Sequence, residues 1–146
     1  MSNDNIKVLN KITKKLIDTQ YGYSKGAEII EDDHALKTEL SRRANARSNF
    51  VSDFQSTVRM MGQEPETDGT MTGRIHEGFT KFSALFRDDK KAALSAIDDA
   101  EEMLADEVKD AMDDKDITPQ VRQKLMQVYT AAKEGERFAD RLEDAA

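Results

Sequence analysis

No cysteine occurs in this chain of 146 residues, and no tryptophan. Without thiols there are no disulfides, no zinc–cysteine sites, no iron–sulfur clusters and no thiol nucleophiles. A reducing compartment suits such a chain. Histidine is nearly absent, with only His34 and His76. No nucleophile–base pairing stands out, so enzyme chemistry has little to stand on and no catalytic residue is assigned. A phosphate loop and a dinucleotide-binding glycine pattern are both missing. No apolar run reaches the roughly 18 residues of a membrane span. The N-terminus, MSNDNIKVLN, has no apolar signal core. The expectation is a soluble cytoplasmic protein. Positive charge is the minority: 22 Lys and Arg face 29 Asp and Glu, for a net charge of −7. Nucleic acid and anionic membranes are therefore excluded as partners, because their phosphates would be repelled.

What is present favours helix. Charged residues make up 35% of the chain, aromatics 6%, and only two prolines occur. The apolar residues recur at helical spacing. A first helix is predicted over about 5–32, with Ile6, Leu9, Ile12 or Thr13, Leu16, Gln20, Tyr23, Ala27 and Ile30 inward. Asp33 then caps a second helix over 36–61, whose stripe is Leu36, Leu40, Ala44, Arg47, Val51, Phe54, Val58 and Met61. Gly62 is suited to a left-handed cap after it. A third helix over 90–114 turns Leu94, Ile97, Glu101, Leu104, Val108 and Ala111 inward. Thr118 and Pro119 open a fourth helix over 119–143. Its stripe is Val121, Leu125, Val128, Ala132, Gly135, Phe138 or Ala139, and Leu142. The whole chain, 1–146, reads as one all-α helical-bundle domain.

Three of these stripes carry a polar residue in their middle: Gln20, Arg47 and Glu101. Centring the first turn between Asp33 and His34 makes Gln20 level with Arg47. Centring the last turn on residues 116 and 117 makes Ala132 level with Glu101. A buried guanidinium must be paired and its donors satisfied. Arg47 is therefore expected to meet Glu101, with Gln20 accepting a further N–H, and Ala132 and Gly135 leaving room. The layer serves chiefly to specify helix register. A functional pocket beside Gly135, lined by Tyr23 and Tyr129, is the alternative.

Between the second and third helices lie 28 residues, Gly62 to Asp89. A short amphipathic helix over 72–87 is predicted there, with Ile75, Phe79, Phe82 and Phe86 on one face. A helix of 26 residues is about 39 Å long. The connection is long enough to cross the bundle lengthwise, and equally able to fold as a lid on one end. Other acidic groups carry less. Glu31, Asp32, Asp33 and His34 read as solvated turn residues, and DDKDITPQ lacks the glycine and alternating ligands of a calcium loop. Asp98, Asp99 and Glu102 project outward by helical geometry. His76 lies off the apolar stripe of the short helix.

Several short motifs, in order, carry a resemblance. They are LNKI at Leu9–Ile12, Asp18 with Gly22-Tyr23, Ala46-Arg47 with Phe50, GQEPE at Gly62–Glu66, IHEGF at Ile75–Phe79, and Ala100-Glu101. Together the chain resembles an uncharacterised bacterial family of ferritin-like four-helix bundles, described as a domain of unknown function. The resemblance implies a long crossover containing the short fifth helix, and no settled activity. Members often have a histidine late in the fourth helix; Gly135 stands at that position here. Di-iron members of the wider superfamily place a glutamate on two helices and a Glu-x-x-His pair on the other two. At the matching depths this chain has Gln20, Ala44 with Arg47, Glu101, and Ala132 with Gly135. One ligand of six remains, and a cation sits at the centre. No metal and no cofactor are therefore expected. The function expected is a non-enzymatic structural, partner-binding or stress-associated one, with a protein partner or a homo-oligomer formed through the Gly22/Gly26 face or the short helix. The alternative is a degenerate metal-binding protein or oxidoreductase that uses Glu101 with Glu28 or Asp18.

Overall fold

A computed structural model describes residues 3–69, 84 and 87–145. Among them the structure is all-α, with four long helices: α1 (Asn3–Ile29), α2 (His34–Met60), α3 (Lys90–Met112) and α4 (Pro119–Ala145). The sequence places each of these within a few residues of its ends. The short helix expected over 72–87, with its Ile75, Phe79, Phe82 and Phe86, lies largely outside the described residues, as do the IHEGF motif and His76.

The helix starts follow the capping chemistry. Asp33 accepts the Leu36 N–H at 3.0 Å, and Asp89 accepts that of Ala92 at 3.0 Å. Thr118 Oγ1 accepts the Val121 N–H at 3.2 Å, and the Thr118 N–H donates to Asn5 Oδ1 at 3.0 Å. Gly62 leaves α2 at φ +85°, the left-handed conformation that glycine adopts without a Cβ penalty. Lys37 closes the first turn from the other side. Its ammonium donates to the carbonyls of Ala27 at 2.7 Å and Ile30 at 3.4 Å.

Specific pairs fix the directions. Lys11 reaches Glu107, Tyr23 reaches Glu101, and Asp32 reaches Lys90, so α1 and α3 run antiparallel. Asp53 pairs with Lys124, and Arg43 lies over Phe138, so α2 and α4 are antiparallel as well. The hairpins α1–α2 and α3–α4 are closely packed along their length. It follows that α2 and α3 are parallel, and that the end of α2 and the start of α3 lie at opposite ends of the bundle. The first residues of the connection between them are seated on the helices. Pro65 and Gly69 are buried, Glu66 N–H donates to Asn10 Oδ1 at 2.9 Å, and Gln55 Nε2 donates to the Glu66 carbonyl at 2.9 Å.

The predicted stripes are the buried ones. In α2 the residues Leu36, Leu40, Ala44, Arg47, Val51, Phe54 and Val58 are all buried. Met61 is the exception, 38% exposed beyond the last turn. Ala111 and Leu142 are half-buried at the ends of their stripes. Thr13, on the α1 stripe, is fully buried and returns its hydroxyl to the Leu9 carbonyl at 2.6 Å, which is how a threonine is satisfied inside a helix.

Candidate functional site

The middle of the bundle is a polar layer to which all four helices contribute. Arg47, on the buried stripe of α2, sends its guanidinium across the core to α3. There Nη2 donates to Glu101 Oε2, and the same nitrogen donates to the Ala131 carbonyl of α4 at 3.3 Å. From α1, the Tyr23 hydroxyl donates to the same Glu101 oxygen at 2.6 Å. The Tyr23 ring also lies 5.6 Å from the guanidinium carbon, within cation–π range. Arg47 is 2% exposed, Tyr23 1% and Glu101 0%.

α4 contributes clearance. A Cβ on Gly135 would overlap Glu101 Oε2 and lie 2.7 Å from both Glu101 Cδ and the Tyr23 hydroxyl. Only glycine admits the carboxylate at that depth. Ala132, one turn away and fully buried, keeps the neighbouring position small.

Burial dominates the electrostatics. It pushes the Glu101 carboxyl above the usual carboxylate range, and the charge of Arg47 with the Tyr23 hydrogen bond pulls it only part of the way back. Burial, with the Glu101 charge beside it, likewise raises the Tyr23 phenol. Two buried atoms of the layer, Glu101 Oε1 and Arg47 Nε, have no hydrogen-bond partner among the described residues. They are the two atoms that a fork from Nε and Nη2 onto both carboxylate oxygens would join.

The sequence placed Arg47 and Glu101 together correctly. Gln20 is different. It is half-buried, and the hydroxyl that reaches Glu101 from α1 belongs to Tyr23, one turn further on. Two causes combine. The first turn lies at 30–33, earlier than a centre between Asp33 and His34 assumes. Long side chains also lean toward the N-terminus of their own helix. Arg47 therefore reaches up α1, while Tyr23 reaches back down it. Tyr129 is partly buried against the apolar core and does not join the layer.

The other acidic candidates do not reach Glu101. Glu28 is exposed and pairs with Lys25 at 3.5 Å. Asp18 packs against Gly69. Elsewhere Asp4, Asp114 and Asp116 bring three carboxylates within 4.8 Å of one another, a grouping that the DDKDITPQ segment alone does not reveal. A hydrogen bond with Asp4, and then the negative charges of Asp4 and Asp114, raise the exposed Asp116 carboxyl.

Chemically, the central layer is a closed ion pair. Its cation is the Arg47 guanidinium, and its carboxylate is shut off from solvent. No helix among the described residues is long and apolar enough to cross a membrane.

Residues 4–114 match the family described as a domain of unknown function, DUF2383. The chain belongs to that family. The matched span holds α1, α2 and α3, and with them Tyr23, Arg47 and Glu101; α4 and Gly135 lie beyond it. No curated protein and no solved structure matches the chain.

Proposed function

We propose that this protein is a ferritin-like bundle whose role is structural or partner-binding rather than catalytic, with an Arg–Glu–Tyr layer where di-iron members of that fold hold metal. One observation carries the reading: the Arg47 guanidinium rests on Glu101 at the centre of the bundle. The helix directions support the ferritin-like assignment, since two antiparallel hairpins joined by one long crossover are that fold's arrangement. The residues do not fit a di-iron centre. Ala44, Ala132 and Gly135 have no ligand atoms, Glu101 already accepts two hydrogen bonds, and the guanidinium would repel a cation. The proposal includes a bacterial, cytoplasmic setting and a protein partner or second copy of the chain.

Elemental analysis of protein purified without chelator tests this. Iron, manganese and zinc are expected far below stoichiometric amounts, because the site's cation is already supplied by Arg47. Stoichiometric metal that is lost in Glu101→Gln would overturn it and favour the degenerate metalloprotein. Sedimentation at high concentration separates the two kinds of partner, because a monomer leaves only a different protein.

A further inference from the structure

The polar layer divides the apolar core in two. Below it, toward the α3–α4 turn, one cluster gathers Leu9, Ile12, Leu16, Phe54, Leu104 and Leu125 with their neighbours. Above it, toward the α1–α2 turn, a second gathers Tyr23, Leu36, Leu40, Leu94, Ile97 and Phe138. The boundary falls at Arg47, Glu101 and Gly135 on three helices, and between Leu16 and Tyr23 on the fourth.

We infer that the bundle is built of two stacked cores of unequal stability, and that the upper one opens as a unit with the polar layer as its fracture plane. Among the described residues, four of the eleven buried in the upper core are alanine: Ala27, Ala44, Ala93 and Ala139. In the lower core only Ala105 and Ala132 are, among fourteen. With eleven buried residues against fourteen, less apolar area in total is removed from water above the layer than below it. The two ends are also tied differently. The lower end is closed by the α3–α4 turn, where Arg122 donates to the Met112 and Asp114 carbonyls, Asn5 accepts from Thr118, and Ile117 plugs the core. At the upper end the outermost inter-hairpin tie among the described residues is Lys90 with Asp32, a surface pair at 3.5 Å. A surface cleft of about 280 Å³ on the upper half is lined by Ser24, Ala27, Lys37, Ser41, Ala44 and Asn45.

The layer is a natural place for the break. Its charges are buried at a high solvation cost, and opening returns Arg47 and Glu101 to water. Separating that pair therefore forfeits less than separating an equal depth of packed leucine. Regions that open below the global unfolding limit are the ones with fewer buried apolar contacts.

Native-state hydrogen exchange on the full chain, across sub-denaturing urea, tests the inference. The amides of Leu40, Ala44, Leu94, Ile97 and Ala139 should share one opening, about ten-fold or more faster than that of Phe54, Val108, Leu125 and Val128. Ile12→Val, which takes one methyl group out of the lower core, should accelerate exchange below the layer and leave the upper opening unchanged, because that opening leaves the lower core intact; Leu125→Ala, whose cost exceeds a ten-fold gap, should merge the two openings. One common isotherm for both halves of the unsubstituted chain, or acceleration of both by Ile12→Val, would overturn it, as would faster exchange below the layer than above.

Discussion

Gly135→Ala is the most informative single substitution. In an ordinary helix interior it would stabilise by about 1 kcal/mol, because glycine is a poor helix former. Here the added methyl overlaps Glu101 Oε2 and crowds the Tyr23 hydroxyl. The carboxylate has no free direction of retreat. Its side chain is fully buried, and the overlapped oxygen holds the bonds from both Arg47 and Tyr23. Moving it breaks a buried pair, at about 3–5 kcal/mol. Subtracting the propensity gain leaves a net loss of about 2–4 kcal/mol. For a chain of this size each kcal/mol shifts the Tm by about 2–4 °C, so Tm should fall by roughly 4–16 °C. The decisive measurement is the same substitution in a Glu101→Ala background, followed by urea denaturation. With the carboxylate gone, the methyl enters space that Glu101 vacates, and Gly135→Ala should change sign and stabilise by about 1 kcal/mol. Equal effects in the two backgrounds would refute the clearance role of Gly135.

Arg47→Met alone should destabilise by about 3–5 kcal/mol, whereas Arg47→Met with Glu101→Leu should be neutral or stabilising by about 1–4 kcal/mol in the same urea titration. The loss in Arg47→Met should grow with pH. Burial already places the folded Glu101 carboxyl above its unfolded value, so the folded state holds the proton more tightly. The stability this contributes is full below the unfolded pKa and is lost as pH rises through the folded one. Removing the guanidinium raises the folded value further. Arg47→Met should therefore be closer to wild type at pH 5 than at pH 8, and Glu101→Gln should abolish that slope; a loss independent of pH would contradict the assignment. Asp33→Ala and Asp89→Ala should each cost about 1 kcal/mol through the lost caps of α2 and α3, measured as shifts in urea midpoint at constant m.

How much of this was visible in the residues depends on what kind of information each position carries. Arg47 and Glu101 could be paired because each interrupts an otherwise apolar stripe, and a buried charge demands a partner of opposite sign. Their meeting needs only periodicity and rough depth. Tyr23 could not be separated from Gln20 that way. Depth counted along a helix locates a Cα, while the meeting point of long side chains depends on their lean and on a turn placed to within one or two residues. Gly135 was visible as the smallest side chain at the right depth, but the overlap with one carboxylate oxygen is a coordinate fact. The track of Pro65 and Gly69 along α1 has no period at all, and the approach of Asp4 to Asp114 and Asp116 joins opposite parts of the chain.

The same distinction explains what the layer does for the fold. An apolar stripe tolerates sliding: a helix displaced by one turn, about 5.4 Å, still offers aliphatic side chains to its neighbours. The polar layer does not. Displacing α2 separates Arg47 from both Glu101 and the Ala131 carbonyl. Displacing α1 removes the Tyr23 hydroxyl from Glu101, and displacing α4 brings a Cβ against the carboxylate in place of Gly135. Each slip leaves at least one charge buried and poorly paired, so its cost exceeds what the pair itself adds to stability. We propose on this ground that a single plane through the middle of the bundle selects one register for four helices at once. Such a role does not depend on the pair adding net stability, since leucine and methionine would pack as well or better.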